Sequence, residues 1–181
     1  MRTRREVVQG LILSMGGAAM LSACGGEATL VATESDSGQW RFLSQREMDL
    51  ITRLSDLIIP RTDTPGAVDA KVPGYIDGLM ADWANEATQQ GQRQALALID
   101  QQLNELAGGD FIAVDMQQAE TILRDYDAKA FTGGQEYGGY RNLKSAISSC
   151  YFVSEEGAVQ ELKWVPAPGR WDPAVPVESL S

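Results

Sequence analysis

Residues 42–60 read FLSQREMDLITRLSDLIIP. Ser44 carries the side-chain oxygen that a helix N-cap needs, and Glu47 stands three residues later to complete a capping box. Leu43 before the cap and Met48 inside the helix can staple its entry. Met48, Ile51, Leu54, Ser55 and Ile58 then share one face at helical spacing, which Leu50 and Leu57 widen. Pro60 lacks an amide hydrogen and stops the run. The pattern predicts an amphipathic helix whose apolar face must be covered by other elements.

The same reading extends toward the C-terminus. Residues 61–70 (RTDTPGAVDA) form a turn-rich loop around Pro65-Gly66. Pro73 suits the first turn of a second helix carrying Tyr75, Ile76, Leu79, Met80 and Trp83. A third helix is expected over 92–106, with Ala95, Leu98, Ile99, Leu103 and Leu106 as its apolar stripe and Gly108-Gly109 as its end. Asp115 can cap a fourth, with Gln118 as box partner and Ile122, Leu123 and Tyr126 inward. Gly133-Gly134 and Gly138-Gly139 bracket a loop, read as flexible or as a close backbone contact. A fifth helix over 140–152 carries Leu143, Ile147 and Tyr151. From about residue 154 the character changes, because Pro166, Pro168, Pro173 and Pro176 prevent a long helix. Trp164 and Trp171 sit in this tail, which is expected to lie extended across a surface, its own domain's or a partner's. The expected class is all-α: about five helices in one compact domain over residues 41–181, with the extended tail at its end.

The other direction leads to an address. Residues 1–23 begin MRTRREVVQG and continue into an apolar run too short to span a bilayer stably. Arg4 and Arg5 follow Thr3, which matches the opening of a twin-arginine signal. Leu21-Ser22-Ala23-Cys24 resembles a bacterial lipoprotein box, with Cys24 as the acylated first residue of the mature chain. Residues 24–40 are small and polar and read as a flexible tether. The expected location is periplasmic, with a lipid anchor in the membrane. Twin-arginine substrates travel already folded, so a chain this small without an evident cofactor site points to a larger companion.

Composition excludes several function classes. The sequence has no histidine and two cysteines, Cys24 and Cys150. The commonest general base and nitrogen metal ligand are therefore missing, and two distant thiols supply neither an iron–sulfur cluster nor a zinc-finger site. Residues 1–23 hold three of the 15 basic residues and one of the 25 acidic ones, so the remainder carries 12 against 24, a net −12. A body that acidic is a poor nucleic-acid binder. Asp56, Asp63, Asp69 and Asp77 crowd one stretch, but their spacing lacks the alternation of a calcium loop. Turn hydrogen bonds by Asp63 and Thr62 are expected instead. No catalytic, cofactor-binding or metal-binding residue is assigned. Once Cys24 is acylated, Cys150 has no partner within the chain, which leaves pairing with another chain or a buried free thiol.

Two runs carry a family resemblance. The first is Asp56 with Ile58-Ile59-Pro60, then Thr62-Asp63-Thr64-Pro65-Gly66-Ala67, Val72 and Tyr75-Ile76-Asp77. The second is Ser154-Glu155-Glu156-Gly157-Ala158-Val159-Gln160-Glu161-Leu162. Together they resemble the gluconate 2-dehydrogenase subunit 3 family. The resemblance implies a non-catalytic accessory subunit that binds, helps fold and co-exports a large FAD-dependent sugar or polyol dehydrogenase of the glucose–methanol–choline class. FAD would sit on that subunit, a cytochrome c would take the electrons, and the tail resembles the form found beside glucoside 3-dehydrogenases. The resemblance also favours a disulfide from Cys150 to the large subunit, with a buried inert cysteine as the other reading. The alternative function is a membrane-tethered lipoprotein module that binds another protein through its tail.

Overall fold

A computed structural model describes residues 40–165 and Gly169. The signal (1–23), its Arg4, Arg5 and Cys24, the tether up to residue 39 and Trp171 lie outside the described residues. Five α-helices follow one another: α1 (Gln45–Ile58), α2 (Val72–Asp82), α3 (Glu86–Ala107), α4 (Met116–Thr132) and α5 (Gly138–Phe152). A short 3-10 turn (Gln135–Tyr137) precedes α5, and a π-helical turn (Glu156–Glu161) follows it. No strand occurs among the described residues, so the class is all-α as expected.

Local chemistry sets the helix ends. The capping box of α1 forms in full: Ser44 N–H donates to Glu47 Oε2 at 2.8 Å, and Glu47 N–H donates to Ser44 Oγ. The helix ends at Ile58, two residues before Pro60. Pro73 lies in the first turn of α2 and Gly108 closes α3, both as read. Asp115 caps α4 by accepting the Gln118 N–H at 2.9 Å.

Helix α5 packs on α2, α3 and α4, and α1 packs on α2 and α4. The core lies between them: Leu50, Ile51 and Leu54 of α1, Val72 and Ile76 of α2, Leu123 and Tyr126 of α4, and Tyr140, Leu143, Ile147 and Tyr151 of α5 are buried. Phe111, on the α3–α4 connection, is fully buried.

Several expectations are corrected. Helix α3 starts earlier than residue 92, because Asn85 caps it by accepting the Thr88 N–H at 2.9 Å. Its inward stripe is Leu96, Ile99 and Leu103, while Leu98 and Leu106 are exposed. Trp83 does not face inward: α2 ends at Asp82, and the indole one step beyond is 85% exposed. Gly138 and Gly139 open α5 rather than close a loop, and a Cβ on Gly139 would come within 2.6 Å of Ala95 Cβ on α3. The reading of a close backbone contact therefore holds at Gly139. Finally, the chain after 154 is not simply extended, since Glu156–Glu161 makes its π-helical turn before the prolines begin.

The N-terminal entry is held by one buried carboxylate. Asp77, 3% exposed, accepts three consecutive backbone N–H groups: Arg41 on Oδ2 at 2.8 Å, and Phe42 and Leu43 on Oδ1 at 2.9 and 2.8 Å. Its role was not evident from the sequence, because its partners stand 34 to 36 residues upstream.

Candidate functional site

The loop between α1 and α2 folds back on itself. The Ile59 carbonyl accepts the Ala67 N–H at 2.9 Å, and the Ala67 carbonyl accepts the Val72 N–H at 3.0 Å. Asp69, not Asp63, holds the turn: its carboxylate accepts the Gly66 N–H at 2.8 Å and pairs with Arg61. The Gly66 amide first, and the Arg61 guanidinium second, keep the Asp69 carboxyl below its ordinary range. Asp63 is exposed, and Thr62 contributes its backbone N–H to the Thr64 carbonyl. Gly66 has no room for a side chain, since a Cβ there would come within 2.7 to 2.8 Å of Arg61 N, Ile59 O and Pro60 C. A glycine at position 66 is thus a steric requirement of this loop.

The second run folds onto the first. Tyr151, 2% exposed at the end of α5, donates its phenol to the Pro65 carbonyl at 2.7 Å. Ser154 Oγ donates to the Tyr151 carbonyl at 2.6 Å and accepts the Gly157 N–H at 3.1 Å. A Cβ on Gly157 would fall on the Tyr151 carbonyl oxygen, so only glycine lets the turn seat there. Leu162 N–H donates to the Gly157 carbonyl and Trp164 N–H to the Ala158 carbonyl. Thr64 Oγ1 then ties the loop to Glu161 Oε2 across 97 residues.

The side chains on this turn tell a different story from its backbone. Phe152, Val153, Val159, Leu162, Trp164 and Val165 are all exposed, Val153 at 71% and Trp164 at 58%. Six apolar side chains within 14 residues, on a backbone already tied by hydrogen bonds, make a surface suited to apolar contact with another body. Of the two tail tryptophans singled out from sequence, Trp164 lies on this surface.

Cys150 sits one residue before Tyr151. It is free and 8% exposed, and burial pushes its thiol up. A second cluster escaped the sequence reading: Tyr140 and Lys144 both donate to Asp127 Oδ1, at 2.8 and 2.6 Å. The i, i+4 spacing of Tyr140 and Lys144 was the available signal. These groups line a groove of about 210 Å³ with Leu57, Ile58, Leu123 and Arg124. Burial and the adjacent carboxylate drive the Tyr140 phenol far above its ordinary value, so it holds its proton. The cluster satisfies itself and stabilises the α4–α5 contact. No group of three or more metal-ligating side chains occurs among the described residues, and none of their helices is long and apolar enough to cross a membrane.

A family model described as gluconate 2-dehydrogenase subunit 3 matches residues 45–169, well over half the chain, and spans both the loop and the turn. No curated protein and no solved structure matches.

Proposed function

From the premise that the chain belongs to the gluconate 2-dehydrogenase subunit 3 family, we propose that it is the accessory subunit that binds, helps fold and co-exports a large FAD-dependent sugar or polyol dehydrogenase. The observation that carries this reading is the joined loop and turn. Two runs far apart in sequence are bonded to each other, and their product is an exposed apolar strip from Phe152 to Val165. A strip of this kind serves a protein partner better than it serves a substrate, because it offers apolar area and few convergent polar groups.

In this reading the flavin and the sugar chemistry belong to the large subunit, and a cytochrome c receives the electrons. Arg4 and Arg5 address the pair to the twin-arginine pore, which carries folded cargo. Cys24 anchors the mature chain on the periplasmic side of the membrane. Covering the strip during assembly would also keep it from aggregating, which couples folding to export.

The test is fractionation of cells expressing both subunits. Periplasmic dehydrogenase activity is expected only when this chain is present, and Arg4→Lys with Arg5→Lys should leave both subunits in the cytoplasm. Full periplasmic activity of the large subunit without this chain would sink the reading.

A further inference from the structure

Two tryptophans mark the place where the chain enters the helical body. Arg41 bonds Asp82 through both terminal guanidinium nitrogens, Nη1 at 2.6 Å and Nη2 closer. Trp40 and Trp83 each stand one residue from that pair, so the ion pair brings them to one corner. Trp83 is 85% exposed, more than any other large apolar side chain among the described residues, and Trp40 is 37% exposed. The fold makes no use of the Trp83 indole: α2 has ended at Asp82, and α3 begins at Glu86.

The chemistry of the corner suits a bilayer surface. An indole has an apolar body and a single N–H donor, and it settles where one end can be dry and the other wet. The charges beside these indoles are matched, Arg41 to Asp82, and two-pronged pairing keeps them together. Glu86, in the first turn of α3, adds one negative charge, which favours a zwitterionic over an anionic lipid surface.

Position along the chain sets this corner beside the lipid anchor. Trp40 follows Cys24 by 16 residues. Covalent geometry limits that stretch to about 55 Å even when fully extended. Every other described residue lies farther along the chain from the lipid. The strip at 152–165 has no such link and is left for the protein partner. We infer that the Trp40–Trp83 corner rests on the lipid interface of the membrane, as a second and weaker contact beside the acyl group. This rests on reading Cys24 as the acylated residue. The two chains of a diacylglycerol hold the protein on their own, so the corner fixes how the body is oriented at the surface rather than whether it stays there. Tethering also raises the local concentration of the corner at the surface, so weak contacts suffice.

Two measurements separate the anchor from the corner. Mass spectrometry of the mature full chain reads the diacylglycerol on Cys24. The acylated chain is then placed in phosphatidylcholine vesicles whose acyl chains carry bromine near the headgroup, which quenches an indole in contact. Quenching is expected; Trp83→Phe should remove most of it and Trp40→Phe a smaller part, while Trp164→Phe should leave it intact. Circular dichroism checks that each variant keeps its helices. A chain without the acyl mass overturns both the anchor and the corner. An acylated chain without quenching, or with quenching that survives Trp83→Phe, overturns the corner alone. Loss of Trp83 quenching when the large subunit is bound assigns the corner to that protein and overturns the inference equally.

Discussion

At residues 41–43 the backbone of the chain is sealed onto the helical body; at 152–165 the chain leaves with its apolar side chains open. At the entry, Asp77 takes three consecutive N–H groups, Leu43 is 4% exposed, and the Arg93 guanidinium lies 4.2 Å from the centre of the Phe42 ring. At the exit, Tyr151, Ser154, Gly157 and Trp164 also take part in hydrogen bonds, yet six apolar side chains face outward. Both ends are well ordered by polar contacts, so the exposure at the exit is not a failure of packing. Hydrogen bonds at the entry attach a segment to the core. At the exit they hold a backbone whose apolar side chains stay exposed.

The largest expected effect tests the sealed end. Asp77→Ala removes one acceptor that serves three backbone donors, and buried donors left without partners cost about 1–3 kcal/mol each before water relieves some of them. A net loss of about 3–4 kcal/mol is expected, read as a shift of the urea midpoint. A loss below about 1 kcal/mol would mean the entry is held by packing alone and would erase the contrast between the ends.

Next comes the open end. Leu162→Ala with Trp164→Ala should weaken binding of the large subunit by about 3 kcal/mol, roughly a hundredfold, because central apolar anchors dominate interfaces. The melting temperature should stay within about 2 °C, since neither side chain is buried in the free chain. Strong destabilisation with unchanged binding would reverse the roles assigned to the two ends.

Gly157→Ala sharpens the picture by attacking the backbone of the open end. The added Cβ meets the Tyr151 carbonyl, so the turn must lift from α5 at a cost of about 2–3 kcal/mol. Amide exchange should quicken at 157–164 while the core helices keep their protection. Core amides that exchange equally fast would show that the turn is part of the core after all.

The core between the ends supplies a reference that pH can read. Burial first, and Tyr137 second, push the Tyr126 phenol from 10.0 up to about 12. A folded value above the unfolded one contributes stability that is complete below about pH 10 and is lost as the pH rises through about 12. The loss should reach about 2 kcal/mol, and Tyr126→Phe should flatten that part of the curve. Because Tyr126 donates to Gln102 Oε1 at 2.6 Å, the variant also starts slightly less stable at neutral pH. An unchanged alkaline slope in the variant would show that another group governs it.

What the sequence reveals follows from distance along the chain. The Ser44–Glu47 box and the Pro60 stop were legible because every participant lies within one turn. Asp77 was not, because its partners are brought to it only by the packing of α2. Within the loop, Pro65-Gly66 announced a turn, but choosing Asp69 over Asp63 needed the fold. In ALALI, residues 95–99, two leucine registers both fit a helix, and packing selected Leu96 over Leu98. The exit turn was hidden differently. Prolines from 166 onward suggested an extended tail, although Glu156–Glu161 lies ahead of them and holds no proline. The closeness of loop and turn, on which the candidate site depends, is set by Tyr151 reaching Pro65 across 86 residues.

Cys150 gives the smallest effect and the finest test of where the sealed region stops. It lies in the last turn of α5, where the buried core gives way to the open turn. Burial pushes its thiol up, so near neutral pH the sulfur is a protonated, weak nucleophile. The isolated folded chain should therefore react with a thiol reagent far more slowly than the same chain in urea. Cys150→Ala should cost about 1 kcal/mol, the effect of a small cavity. The resemblance also raised a disulfide to the large subunit, and non-reducing gels of the complex decide it, with no shifted band expected. A band that disappears in Cys150→Ser would require the partner to lift the turn and reach the sulfur. The exit would then be reshaped by binding rather than presented ready-made, and the hydrogen bonds from Ser154 and Tyr151 would have to break on assembly.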